Sequence, residues 1–245
     1  MRTLQKEVTM IRAFLLAFLK RLLYKYSLMT SQAGQDYWVF GEAFNEKRCG
    51  YFLDIGAHDG MSLSNTFLLE SRYNWSGICI EANPVTFEKL KKNRRAVCLN
   101  CCLDRSEGHV DFVLRGALGG IVGQDADNTE SNARNNTVIK LKTSSLCRLL
   151  EDQKAPHIID YVSVDIEGSE ERVLAGFDFN KYTFRCITIE RPTGLLRDLF
   201  KKHDYILIKE IPGLDCFYVH RSFLQDYTNN LFNFYKKKHL SIRWR

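Results

Sequence analysis

The feature that most constrains the fold is an apolar run at 51–55 that ends in a glycine turn. Gly56 and Gly60 follow the run four residues apart, and Asp54 lies just before them. Glycine lets a backbone turn tightly and approach a ligand closely. The spacing differs from the GxGxxG of dinucleotide-binding turns, and the Gly-Lys-Ser/Thr of a phosphate-binding loop is missing. The turn therefore favours a ligand without phosphates.

The rest of the chain alternates between strand-like and helical patterns. Apolar runs typical of strands follow at 77–80, 96–103, 108–114, 158–166, 184–189, 205–210 and 214–219. Helical patterns occupy 61–72, 85–93, 143–152 and 193–203. The last two strands flank Pro212-Gly213, as the strands of a hairpin do. This order predicts an α/β fold with a doubly wound, mostly parallel sheet and a C-terminal antiparallel hairpin.

The net charge of +6 is concentrated at the two ends of the chain. Residues 1–30 and 236–245 each carry five more basic than acidic residues, which leaves the stretch between them acidic. A nucleic-acid-binding domain needs basic residues across a folded face, so we expect no nucleic acid partner. The pattern predicts a basic amphipathic helix in 1–30, a globular domain in 31–222 and a basic tail in 223–245.

The N-terminal segment does not have the pattern of a membrane span or a secretory signal. Its longest apolar run, 13–19, has seven residues, whereas a span needs about 20. Lys20-Arg21 follows the run in place of a small-residue cleavage site. The mixture of apolar and basic residues in 10–28 predicts an amphipathic helix. This helix either packs on its own domain or lies on an anionic membrane. We expect a cytoplasmic location. Membrane contact through residues 10–28 and formation of a homodimer are both left open.

The eight cysteines indicate reduced packing thiols. Cys79 and Cys186 lie inside apolar strand-like runs, where a thiol acts as a small hydrophobic side chain. The CxxCC cluster at 98–102 has no second pair of ligands at a spacing that suits structural zinc. We therefore predict no metal site there.

An acidic residue after the second strand points to the class of ligand. Glu81 lies 25 residues after Gly56, and a carboxylate at this place in such a fold accepts the hydroxyls of a ribose. Asp54 could hold an ammonium group, so the set favours S-adenosylmethionine over NAD or ATP. Asp104, after the third strand, is placed to meet the adenine amino group, with an ordinary surface turn as the alternative.

Three short motifs resemble those of the FkbM-type methyltransferases. They are Asp54-Ile55-Gly56-Ala57-His58-Asp59-Gly60, Glu81-Ala82-Asn83-Pro84 and Val164-Asp165-Ile166-Glu167-Gly168-Ser169-Glu170. The segment 31–36 is similar to the leader of one branch of that family, and the likeness spans 31–220. The DxEGxE motif within 165–170 is its specific part, because the glycine turn alone indicates only a class I methyltransferase.

The resemblance implies a class I, Rossmann-like methyltransferase fold with S-adenosylmethionine as the methyl donor. It also implies O-methylation of a hydroxyl on a sugar, a glycan or a secondary metabolite. N-methylation is left open, since the cofactor half would look the same, and so is a non-catalytic, membrane-associated adaptor. The candidate cofactor-binding residues are Gln35, Asp54, Gly56, Asp59, Gly60, Glu81, Asn83 and Asp104.

Three carboxylates are the candidate catalytic residues. Asp165 and Glu167 are two apart at the end of the fourth strand, so in an extended strand they would share a face. Glu190 ends the neighbouring strand. Together they could accept a hydroxyl proton or hold a divalent ion. We predict that they act as proton acceptors, and we predict no metal site. His58 is a weaker candidate base, and the glycine-rich segment 116–137 is a candidate lid.

Overall fold

The computed structural model describes residues 29–123 and 126–240. The amphipathic helix predicted at 10–28 lies outside the described residues. Within the described part of the chain, no helix is long and apolar enough to cross a membrane.

Eleven strands and eight α-helices are described in these residues. The strands are β1 Tyr51–Ile55, β2 Ser76–Glu81, β3 Val97–Asn100, β4 Cys102–Leu103, β5 Gly108–Leu114, β6 Gly120–Ile121, β7 Thr137–Ser144, β8 Ile158–Val164, β9 Thr183–Glu190, β10 Tyr205–Glu210 and β11 Asp215–His220. The helices are α1 Gln35–Tyr37, α2 Phe67–Tyr73, α3 Pro84–Asn93, α4 Glu130–Arg134, α5 Leu146–Asp152, α6 Glu170–Leu174, α7 Gly194–Lys202 and α8 Leu224–Leu240. A π-helical turn, Trp38–Ala43, continues α1, and 3-10 turns lie at Gly116–Leu118 and Arg221–Phe223.

Seven strands form the central sheet in the order β10-β11-β9-β8-β1-β2-β3. The five strands from β9 to β3 are parallel, and β11 and β10 join them as an antiparallel hairpin. The chain leaves β1 toward β2 and later returns on its other side with β8, so the order reverses between β1 and β8. This topology confirms the predicted class I methyltransferase sheet and its C-terminal hairpin.

Both faces of the central sheet are buried. Leu53 and Ile55 of β1 pack into one apolar cluster, and Phe52 packs into a second cluster on the opposite face. Successive side chains of a strand point to opposite faces, which explains why a continuous apolar run was needed in β1. Parallel sheets are usually covered on both faces in this way.

A second sheet, in the order β4-β7-β5-β6, forms from the segment between β3 and α5. The strand predicted at 108–114 is present as β5. The segment 116–137, predicted as one long loop, contains the short strand β6 and the helix α4. Ile121 is buried against Phe112 and Cys102. The burial of this small apolar cluster favours the pairing of β6 with β5.

The helix predicted at 61–72 is wrong in its first half. Helix α2 begins only at Phe67, and Leu63 is exposed, with a φ of 56°. Two polar side chains hold the chain in turns before the helix. Asp59 accepts from the amides of residues 61 and 62, and Ser64 accepts from those of residues 66 and 67.

The predicted tail at 223–245 needs a correction over its described residues, 223–240. Helix α8 packs on the π-helical turn, and its Phe234 is fully buried against Tyr37 and Phe40. Its basic residues Lys236 and Lys237 are exposed. This stretch is therefore packed on the domain, because the apolar face of α8 contacts α1 and the π-helical turn.

Candidate active site

A crevice opens at the carboxyl ends of β1, β2 and β8, where the strand order reverses. Gly56, Glu81 and Asp165 lie at these three strand ends and line it. Ligands of doubly wound sheets bind at this place. Apolar side chains from the second sheet, including Phe112 and Ile121, form the opposite wall.

The turn after β1 depends on both of its glycines. Gly56 has a φ of +85°, and a Cβ there would lie 1.7 Å from the carbonyl oxygen of Asp165. Gly60 has a φ of +79°, and a Cβ there would lie 2.6 Å from side-chain atoms of Leu90 and Arg94. The amide of Gly56 donates to the carbonyl of Ile80, over 3.0 Å, which ties the turn to β2.

Glu81 is held with its carboxylate at the crevice. One oxygen accepts from the amide of His58 over 2.8 Å, and the other accepts from the amide of Asn83 over 2.7 Å. Burial raises the pKa of Glu81 to about 7, against the opposing effect of these two hydrogen bonds. Glu81, which the sequence predicts to bind a ribose, therefore lines the crevice in a fixed orientation.

Asp54 lies away from the crevice lining. It is buried, accepts a hydrogen bond from Thr66 Oγ1 over 2.5 Å, and lies 3.7 Å from Arg94 Nη1. Burial raises its pKa, and Arg94 opposes that effect. Arg94 also donates to Glu70 over 2.5 Å. This arrangement gives Asp54 structural partners and shows no route to the ammonium group that we expected it to hold.

Asp59 and Asn83 also have local structural partners. Asp59 accepts from the amides of Met61 and Ser62, and Asn83 caps helix α3 by accepting from the amide of Val85. Neither side chain lines the crevice. Their proposed part in binding is thus indirect, through the shape of the two turns that follow β1 and β2.

Asp104 has a different partner from the one expected. Its two oxygens accept from Nε and Nη2 of Arg172, over 3.0 and 2.6 Å. Partial burial acts to raise the pKa of Asp104, but the hydrogen bonds and the charge of Arg172 outweigh it, and the pKa is lowered. Asp104 does not line the crevice, so the role expected for it at an adenine amino group finds no support in the geometry.

The three predicted catalytic carboxylates come together. Asp165, Glu167 and Glu190 each offer an oxygen, and these oxygens lie within 4.8 Å of one another. Asp165 follows the end of β8, and Glu167 sits in the turn after it, with a φ of 54°. They therefore meet through a turn and not as neighbours on one strand face. The spacing could accommodate a divalent ion, although exposed acidic groups often cluster without one.

Crowding changes the acidity of this cluster. Loss of hydration, followed by the charges of Glu190 and Glu167, raises the pKa of Asp165 to about 8, although the residue keeps access to solvent. Loss of hydration, then Glu190 and Asp127, raises the pKa of Glu167 to about 7. Carboxyls in this range can exchange protons near neutral pH.

The sequence analysis missed a fourth carboxylate. Asp215 lies opposite Glu190 in the pairing of β11 with β9, and its Oδ2 accepts from Gln35 Nε2 over 2.6 Å. Burial raises its pKa, which Gln35 opposes. Gln35, predicted to cover the cofactor, thus reaches the acidic cluster through Asp215. Only the antiparallel register reveals this, because 25 residues separate the two acids along the chain.

The candidate lid lies against the catalytic turn. Gly116, Gly119 and Gly120 line the crevice. Further along, the amide of Asp127 donates to the carbonyl of Glu167 over 3.1 Å. Arg191, a second residue that the sequence analysis missed, pairs with both Asp127 and Glu190. The described residues of the segment 116–137 lie where they could cover the site. That the segment moves as a lid stays a prediction.

Comparison with known proteins identifies the family. The family model described as the methyltransferase FkbM domain matches residues 54–207. The chain belongs to the FkbM methyltransferase family. The match includes all three strand ends that form the crevice and the carboxylates Asp165, Glu167 and Glu190, whereas Asp215 lies beyond it. No curated protein matches the chain.

Solved methyltransferases show distant likeness to this FkbM member. Precorrin-6y C5,15-methyltransferase from Geobacter metallireducens GS-15 is 11% identical, with a TM-score of 0.43 over 78% of this chain and 88% of that one. The METTL16 methyltransferase domain is 13% identical, with a TM-score of 0.45 over 76% of this chain and 65% of that one.

The FkbM family implies S-adenosylmethionine, and the crevice residues fit it. The fixed carboxylate of Glu81 suits the two hydroxyls of a ribose. Next to it, the walls contain Ile80, Leu103 and Phe112, which suit a flat purine ring. Gly56 lines the crevice, and a glycine there lets the backbone approach a ligand closely.

Proposed function

We propose that this protein transfers the methyl group of S-adenosylmethionine to a hydroxyl of a sugar, a glycan or another small metabolite. The observation that carries the proposal is the carboxyl of Asp165. It lies at the crevice beside Glu167 and Glu190, and its pKa is raised to about 8. A carboxylate of that basicity can accept the proton that a hydroxyl must lose when it is methylated.

The cofactor supplies an electrophilic methyl group on a positively charged sulfur. Glu81 would hold its ribose, and the apolar walls of the crevice would hold its base. Asp165 would accept the proton that the acceptor hydroxyl loses as its oxygen takes the methyl group. Glu190 and Glu167 raise the proton affinity of Asp165 in this step.

Alignment and exclusion of water are the remaining demands of methyl transfer. Gln35 fixes Asp215 beside the acidic cluster, so the carboxylates have supporting contacts. Gly116, Ala117 and the strand β6 line the crevice from the other side. These elements would enclose the reacting atoms between the two sheets.

An amine is the second candidate acceptor, because the acidic cluster favours a cation. Asp165, Glu167, Glu190 and Asp215 lie together with Arg191 as the basic partner of Glu190. Asp165 would then accept a proton from the ammonium form, and the methyl group would go to nitrogen. The adaptor hypothesis depends on residues 10–28, outside the described residues, and stays a prediction.

The test is an incubation of the whole protein with methyl-labelled S-adenosylmethionine and extracts of glycans and metabolites. Mass spectrometry of the labelled product should show an O-methyl ether, and Asp165→Asn should reduce its formation about 10²–10⁴-fold. An N-methyl product would replace the first acceptor class with the second. A protein that binds the cofactor in calorimetry but methylates nothing would favour the adaptor hypothesis, and one that does neither would overturn the proposal.

A further inference from the structure

Ser169 occupies the first position of a helix without capping it. It is the N-cap residue of α6, yet its side chain makes no capping hydrogen bond. Serine at this position usually accepts from an amide of the first turn. Here the carboxylate of Glu170 accepts from the amides of Ile166 and Gly168 over 3.0 and 3.3 Å. The hydroxyl of Ser169 is therefore left for another partner.

In the part of the chain that the structure describes, the Ser169 hydroxyl is buried and unpaired, in a residue that lines the ligand crevice. The residue is 1% exposed, and its Oγ has no partner among the described residues. Ser169 nevertheless lines the crevice, in company with Leu103 and Ile166. Burying a hydroxyl without a hydrogen bond is unfavourable. A ligand group that enters this part of the crevice would satisfy it.

The chemistry of the neighbouring residues limits what that group can be. The apolar walls beside Ser169 suit the purine ring of the methyl donor. Asp104, the residue expected to meet the base, is occupied by Arg172. Of the described residues that line the crevice, Ser169 is the only one with a hydroxyl. A hydroxyl can donate to a ring nitrogen and can also accept from an exocyclic amino group.

We propose that the Ser169 hydroxyl hydrogen-bonds the polar edge of the purine base of the bound methyl donor. Ser169 would thereby contact the base in place of Asp104, whose carboxylate is paired with Arg172. The inference rests on the proposed function, because it assumes an S-adenosyl ligand. It assigns Ser169 to recognition of the base, and not to the ribose or to the transfer step.

The test compares two serines and two ligands. Ser169→Ala is matched by Ser145→Ala, because Ser145 is an N-cap serine whose side chain does accept, from the amide of Arg148. Calorimetry measures binding of S-adenosylhomocysteine and of S-ribosylhomocysteine, which lacks the base. Ser169→Ala should weaken S-adenosylhomocysteine about tenfold, or about 1.4 kcal/mol, and leave S-ribosylhomocysteine within twofold.

The thermal midpoint separates binding from folding. Ser145→Ala should lower Tm by about 2–4 °C through the lost cap and leave both affinities unchanged. Ser169→Ala should leave Tm unchanged or raise it, since no cap is lost and a buried, unpaired hydroxyl is removed. Equal weakening of both ligands, or no weakening of S-adenosylhomocysteine, would overturn the assignment of Ser169 alone. A wild-type protein that binds neither ligand would overturn the proposed function as well.

Discussion

Gly56 and Asp165 touch so closely that no side chain fits between them. A Cβ on Gly56 would lie 1.7 Å from the carbonyl oxygen of Asp165. The amide of Asp165 in turn donates to the carbonyl of Ile55 over 3.0 Å. The glycine turn after β1 and the end of β8 are therefore fixed against each other by backbone contacts.

Gly56→Ala should disrupt this contact and destabilise the fold by about 3 kcal/mol or more, from steric overlap and from the positive φ. Binding of S-adenosylhomocysteine should be lost with it. Thermal unfolding and calorimetry give the two readouts. Gly194→Ala is the control, since nothing lies within 4 Å of a Cβ there. A Gly56→Ala protein with wild-type Tm would show that the turn relaxes easily.

Glu81→Gln should weaken S-adenosylhomocysteine about 10- to 100-fold, since a hydrogen bond to a charged group contributes about 1.5–3 kcal/mol. The amide NH₂ of glutamine would also face the amides of His58 and Asn83 and lose one of those contacts. Calorimetry measures the effect. Glu88→Gln, on the exposed face of α3, should bind as the wild type does. Equal affinities for both variants would remove Glu81 from the ligand site.

Asp54→Asn should act on stability more than on binding, because its carboxylate faces Thr66 and Arg94. Losing the charge leaves Arg94 with Glu70 as its main buried acidic partner. Tm should fall clearly, while affinity for S-adenosylhomocysteine should stay within about threefold, less than one hydrogen bond to a charged group contributes. The opposite pattern, with Tm unchanged and affinity lost, would restore the ammonium-binding role inferred from the sequence.

Methyl transfer should become faster as pH rises through about 8, because Asp165 must lose its proton before it can act as a base and its pKa is raised to about 8. Glu190→Gln removes a like charge and should lower that pKa, which moves the rising limb of kcat/KM to lower pH. Profiles of the wild type and the variant measure the shift. A limb that stays in place would belong to another group.

Stability should depend on the same proton with the opposite trend. The pKa of Asp165 is raised from 3.8 to about 8 in the folded protein, so its favourable contribution is complete below about pH 4 and is lost as pH rises through about 8. Asp165→Asn cannot ionise. Its Tm advantage over the wild type should therefore grow between pH 5 and pH 9, to an extent that solvent around the side chain limits. A constant difference would show that the proton is not linked to folding.

Much of the sheet could be predicted because its signals are local. The run at 77–80 became β2, Ser76–Glu81, and the hairpin around Pro212-Gly213 formed as expected. Apolar periodicity records how each strand is buried, whichever partners cover it. The start of α2 could not be read in this way, since Asp59 and Ser64 compete for backbone amides over a stretch with helical spacing.

The sequence alone indicated the doubly wound, mostly parallel sheet, the glycine turn and the FkbM resemblance. It also placed Asp165, Glu167 and Glu190 near the ends of neighbouring strands, where side chains of parallel strands meet. Only the tertiary structure decided which polar groups are free to meet a ligand. Asp104 pairs with Arg172, 68 residues away, whereas the hydroxyl of Ser169 has no partner among the residues that the structure describes. Hydrogen bonds between distant segments form only when the helices and strands pack together, so no local sequence pattern predicts which groups will pair.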